Sequence, residues 1–104
     1  MSTPLTIRTE PGTDGRPVLL AVGEIDASNV DDFADALNAA AGDGTEVLTV
    51  DLSEVDYLDS AAINALVPHA ESVQIVANPV LLRVLLVSGL GELTKIRSAA
   101  ESDS

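Results

Sequence analysis

Residues 46–63, EVLTVDLSEVDYLDSAAI, decide how the rest of the chain is read. Val47, Leu48 and Val50 form a short β-branched and aliphatic run between polar brackets, the pattern of a central strand of a parallel sheet, buried on both faces. An acidic turn follows, and a helix opens at Asp59-Ser60. Asp59 or Ser60 can accept a hydrogen bond from a free N–H of the next turn, which would hold the serine hydroxyl at the positive end of a helix dipole. Such a place suits a phosphate, although Asp-Ser is also an ordinary helix cap. Spacing alone does not separate the two readings.

The rest of the chain supplies the partners of that strand. Leu5-Thr6-Ile7-Arg8-Thr9 alternates with period two and reads as a half-buried edge strand. Pro11-Gly12-Thr13-Asp14-Gly15 is a turn, and Val18–Val22 restarts an extended run that Gly23 ends, so the two strands form a hairpin. From Ser28, read as the cap, the period becomes helical: Val30, Phe33, Ala34, Leu37 and Ala41 share one face, with Asp31, Asp32 and Asp35 pointing away and Gly42 past the end. After Ser60 a short helix runs to Val67, where Pro68 stops or kinks it. His69, the only histidine, has no second imidazole or thiol with which to bind a metal.

Val73–Ala77 is the next strand. Asn78-Pro79 then caps and opens a helix of Val80, Leu81, Leu82, Val84, Leu85, Leu86 and Val87 that Gly89 closes. A helix apolar all round requires burial all round. Either neighbouring segments cover it, or some of its leucines remain at the surface as an interface. Leu93–Arg97 reads as a short last strand, and residues 98–104 as a mobile polar tail of the single domain 1–104.

Composition narrows the function. One domain of 104 residues with 46% hydrophobic but 2% aromatic residues builds its core from Val, Leu, Ile and Ala, with Phe33 and Tyr57 as the only large rings. Seventeen acidic against five basic residues, a net charge of −12, repel nucleic acid and anionic lipid, so neither nucleic-acid binding nor membrane insertion is expected. There is no cysteine, hence no thiol nucleophile and no Cys-ligated zinc. No nucleophile–base pair or glycine-rich phosphate loop can be assembled, so a non-enzymatic protein without a cofactor is expected. Met1 to Pro4 lack the basic and long apolar regions of a signal peptide, and no apolar run is long enough to span a bilayer, so a cytoplasmic protein is expected.

The element order ββαβαβα(β) requires parallel strands joined by right-handed crossovers, with the loops after the second and third strands on one sheet edge. That places Glu24-Ile25-Asp26 near Asp56, Asp59 and Ser60, where open α/β folds usually carry their sites.

Gly23-Glu24-Ile25-Asp26, Val50-Asp51-Leu52-Ser53, Val55, Leu58-Asp59-Ser60 and Ser88-Gly89-Leu90 together resemble the STAS domain of anti-sigma factor antagonists. The resemblance implies a small α/β domain whose mixed sheet has an antiparallel first strand pair, parallel later strands and helices packed on it. It also implies an anti-sigma factor with serine-kinase activity as partner, phosphorylation at Ser60, and a serine phosphatase that reverses it. The contact surface it implies comprises Glu24, Asp26, Ser28, Asp56, Asp59, Ser60, Ala61 and Ala62. The family pattern is commonly Asp-Ser-Ser/Thr-Gly, and Ala61 and Ala62 depart from it. The alternative is therefore a STAS subunit without a phosphoswitch, such as a constitutive antagonist or the accessory subunit of a lipid-transport ATPase.

Overall fold

The computed structural model describes residues 4–12, 15–42 and 46–99. Its strands are β1 (Thr6–Pro11), β2 (Pro17–Ile25), β3 (Leu48–Leu58), β4 (Val73–Ala77) and β5 (Lys95–Ser98). Helix α1 (Val30–Ala41) joins β2 to β3, α2 (Ser60–Leu66) joins β3 to β4, and α3 (Pro79–Val87) joins β4 to β5. Short 3-10 turns follow α2 (Val67–Ser72) and α3 (Leu90–Glu92), the first of them carrying Pro68 as expected of a helix stop. Residues 1–3, 13–14, 43–45 and 100–104, which include part of the expected turn at Pro11–Gly15 and most of the expected tail, lie outside the described residues.

The sheet runs in the order β1-β2-β3-β4-β5, with β1 antiparallel to β2 and every other pair parallel. Each crossover advances one strand in the same direction, so right-handedness puts all three helices on one face. The core bears this out. Leu19, Ala21 and Ile25 of β2, Leu48, Val50 and Leu52 of β3, and Ile75 and Ala77 of β4 are buried against Phe33, Leu37, Leu66, Leu81 and Leu85 from the helices. The central strand is thus not sealed on both faces. Thr49, Asp51 and Ser53 on the opposite side are only half-buried, and Gln74 Nε2 donates to Thr49 Oγ1 at 2.8 Å there.

Three expected boundaries move. The presumed acidic turn is strand: β3 continues to Leu58, and its buried residues Leu52, Val55 and Leu58 recur every third position. The reason is two register shifts against β2, one between Leu20 and Val22 and one between Gly23 and Glu24. Each gives β3 an extra residue, and at the second shift Asp56 has no partner in β2. Gly23 does not end β2, because at φ 109° it bends the strand through this irregularity and lets it reach Ile25. At the other end, β5 begins at Lys95 and includes Ser98, which is buried, while the Ala99 N–H donates to Ala77 O at 2.8 Å. Ser98 and Ala99 therefore belong to the fold and not to a tail. Tyr57, expected in the core, is 50% exposed, whereas Phe33 is fully buried.

Beyond Leu52↔Ala77, β4 no longer pairs with β3, and a side chain takes over. Asn78 Nδ2 donates to Val55 O at 2.8 Å and to Ser53 O at 3.3 Å, while Asn78 Oδ1 accepts the Leu81 N–H at 2.9 Å and caps α3. One residue thus satisfies the free edge of β3 and the first turn of a helix. Asn78→Ala removes the cap and leaves two part-buried carbonyls unpaired, for a destabilisation of ~2–3 kcal/mol. Thermal unfolding followed by circular dichroism is expected to show a fall in Tm of roughly 10 °C or more. An unchanged Tm would show that the β3 edge needs no such support.

Candidate functional site

The pairing of β2 with β3 reaches Glu24↔Tyr57 and Ile25↔Leu58, and the Asp59 N–H then donates to Ile25 O at 2.9 Å. The two strands therefore leave the sheet side by side. The strand ends and the residues that follow them, 24–29 and 56–60, form one acidic edge bearing Glu24 and Asp56 on the strands and Asp26 and Asp59 just beyond them, as the topology required. Tyr57 adds an exposed ring beside them.

The loop after β2 is held by its own side chains. Asp26 Oδ1 accepts from the Ser28 hydroxyl and from the Ser28 N–H, the latter at 2.9 Å. Asn29 Oδ1 accepts the Asp26 N–H at 2.9 Å, and Asn29 Nδ2 donates to Glu24 O at 2.9 Å. Asn29, not Ser28, occupies the cap position of α1, and its side chain makes no cap hydrogen bond because it is committed to the loop. Ser28 is likewise committed to Asp26. The sequence placed the cap one residue early, since both residue types suit it, and missed Asn29 as the residue that shapes the acidic loop.

Ser60 is the first residue of α2 and is exposed. Its hydroxyl donates to Asp59 Oδ1 at 3.1 Å. Asp59 sits at the cap position with extended backbone, yet its carboxylate accepts no helix N–H. Neither Asp59 nor Ser60 thus makes the side-chain cap expected of it, and the hydroxyl is free of a structural duty to the helix. Ala61 is half-buried beside it. Ala62 is fully buried in the core, which corrects its place in the expected contact surface, because a methyl packed inside the domain cannot touch a partner. At this position a glycine would leave a small void.

Among the described residues no group of His, Asp and Glu is placed to hold a metal ion, and no helix is long and apolar enough to cross a membrane. His69 Nε2 lies 2.9 Å from Asn38 Oδ1 and ties the turn after α2 to α1.

Residues 9–96 match the family model described as Mlab, STAS domain. The chain belongs to the STAS domain family. Its structure is similar to an anti-sigma factor antagonist from Mycobacterium paratuberculosis, at 28% identity and a TM-score of 0.80, over 92% of this chain and 89% of that one. It is also similar to the anti-sigma factor antagonist SpoIIAA in its unphosphorylated form, at 16% identity and a TM-score of 0.69, over 93% and 92% of the two chains. The Bacillus cell fate determinant SpoIIAA in its phosphorylated form gives 17% identity and a TM-score of 0.63, over 93% and 96%. A search of curated proteins by sequence finds no match. The STAS fold thus accounts for the mixed five-stranded sheet and its three helices.

The carboxyl of Asp26 is held below its ordinary value, first by the Ser28 hydroxyl and then by the Ser28 N–H, against an opposing effect of desolvation that outweighs the small further help of the Asn29 N–H. Because the folded value is the lower one, the stabilisation this loop gains is present above the unfolded carboxylate pKa. It is lost as pH falls through the folded value. A carboxyl NMR titration is expected to show Asp26 titrating below an ordinary aspartate, and Ser28→Ala to move it back upward. An Asp26 that titrates normally in both proteins would mean that the loop is not held this way in solution.

Proposed function

We propose that this STAS domain is an anti-sigma factor antagonist whose switch is Ser60. Unphosphorylated, it binds an anti-sigma factor that is also a serine kinase, and so frees a sigma factor. Phosphorylated at Ser60, it releases that partner, and a serine phosphatase resets it. The observation that carries the reading is the exposed Ser60 hydroxyl at the edge where the two acidic loops meet, bonded only to Asp59. The similar structures of SpoIIAA in unphosphorylated and phosphorylated forms support it, since the same fold accommodates both states.

Glu24, Asp26, Ser28, Asp56, Asp59, Ser60 and Ala61 form the contact surface in this reading, with Tyr57 as its aromatic anchor. A phosphoserine carries about −1.5 to −2 charges at neutral pH. Two like unit charges ~6 Å apart repel by ~3 kcal/mol at an effective dielectric of ~20, before salt screening. In the free protein water relieves most of this. In a docked interface water is excluded, and a phosphate must then be buried beside carboxylates and against a surface shaped for a neutral hydroxyl. A net penalty of ~3 kcal/mol weakens binding about a hundredfold, which suffices to release a partner.

A second reading, a STAS subunit without a phosphoswitch, is favoured by one observation. Ala61 and Ala62 replace the hydroxyl and glycine common in the family, and Ala62 is locked in the core, which stiffens the segment presenting Ser60. Binding of the anti-sigma factor that co-purifies with the chain separates the two. Ser60→Ala is expected to bind it in the presence of ATP as tightly as the unphosphorylated protein, and Ser60→Asp about a hundredfold more weakly, with both variants folded. Phosphopeptide mapping is expected to place the label on Ser60. Equal affinities of the two variants, with no label at Ser60, would transfer the conclusion to the second reading.

A further inference from the structure

Charge and exposed apolar surface are not spread evenly over this chain. From Ser72 to Gly91 there is no acidic residue, and residues 72–99 hold Arg83, Lys95 and Arg97 against Glu92 alone. The same segment carries most of the exposed large hydrophobic side chains among the described residues, namely Val80, Val84, Leu86, Val87 and Leu93, the others being Tyr57 and Val67. Its centre is α3. Leu81 and Leu85 bury one stripe of that helix in the core, while Val80, Arg83, Val84 and Val87 recur at i, i+3, i+4 and i+7 on the outside. Val80 is 72% and Val87 83% exposed, so the outer stripe is open to solvent along its whole length. Pro79, Val80, Arg83 and Val84 line a shallow groove of about 400 Å³.

We propose that the outer stripe of α3 docks an amphipathic helix of a partner protein, one that sets carboxylates opposite Arg83. The spacing is that of helix-in-groove recognition, and a nine-residue helix offers ~13 Å of contact, enough for two to three turns of a partner helix. Arg83 is the only charged residue of α3 and lies at the middle of the stripe, which fixes the sign of the complement. A second copy of this chain fits poorly. An isologous contact centred on the stripe would bring Arg83 against Arg83 between two molecules that each carry −12. An anionic lipid surface fits poorly, because a plane of headgroups would also face the acidic remainder of the chain, whereas a helix docked along α3 meets residues 72–91, which hold no acid. This face lies on α3, not on the loops that carry Ser60, and goes beyond the antagonist reading.

The test sets local charge against net charge. Two synthetic helix-forming peptides share leucines at i, i+3, i+4 and i+7 and differ only in flanking residues, all Glu in one and all Lys in the other. Binding to the full chain is measured by fluorescence anisotropy. Net charge alone favours the lysine peptide. The proposal expects the glutamate peptide to bind ~10-fold more tightly or better, with the difference shrinking at high salt. Arg83→Glu is expected to reverse the preference, and Val84→Asp or Val87→Asp to weaken the glutamate peptide ~10-fold, with unfolding curves confirming that each variant folds. Preference for the lysine peptide, binding of neither, or indifference to all three substitutions would overturn the proposal. So would dimerisation in sedimentation that Val84→Asp abolishes, because the occupant would then be a second copy.

Discussion

The hydrogen bond from the Asp59 N–H to Ile25 O closes the β2–β3 ladder, and the surface of this domain depends on it. Had β3 stopped where β4 leaves it, at Leu52, its end would lie opposite Leu20–Val22, short of the β2 exit at Ile25, and the two acidic segments would be separate. Instead β3 runs on as a strand paired on one side only. Asn78 covers its other side, so the extension is fastened to β2 by backbone and to α3 by a side chain. Ser60 is thereby carried on the end of a strand and not on a loose loop. A hydroxyl so placed is exposed without loss of order around it.

Much of this is legible in the amino-acid sequence. The order of elements, the antiparallel hairpin leading into parallel strands, and the meeting of Glu24-Ile25-Asp26 with Asp59-Ser60 follow from periodicity and from the handedness of crossovers. What stayed hidden has specific causes. Asp51, Glu54, Asp56 and Asp59 make residues 51–59 read as a turn, because period-two alternation breaks at each register shift and charged residues are scarce in buried strands. Tyr57 reads as core by composition and lies outside because the second shift turns it to the surface. Ser28 and Asn29 are both cap residues by type, and only the hydrogen bonds show that each serves the acidic loop. Asn78 was legible as a cap of α3, but its bonds to Ser53 and Val55, 23 or more residues away in the chain, leave no local signal.

The charge of the chain divides as the structure does. The acids gather on the first 71 residues, where α1 turns Asp31, Asp32 and Asp35 outward and the ends of β2 and β3 with the residues after them add Glu24, Asp26, Asp56 and Asp59. The later segment, with α3 and β5, has little negative charge and more exposed apolar surface. A domain built on one face of a sheet can therefore present two chemically different surfaces, one acidic and one with exposed apolar side chains. Neither surface requires the core to change, since Phe33, Leu37, Leu66, Leu81 and Leu85 pack as a single cluster beneath both.

Native-state hydrogen exchange at the Asp59 amide tests most directly whether the two acidic loops form one ordered surface. If the ladder is closed as described, that amide exchanges with a protection comparable to the central β3 amides around Val50 and opens only with the domain as a whole. Exchange of Asp59 at the rate of an exposed loop, while Val50 remains protected, would show that β3 frays before Ser60 and would contradict the account.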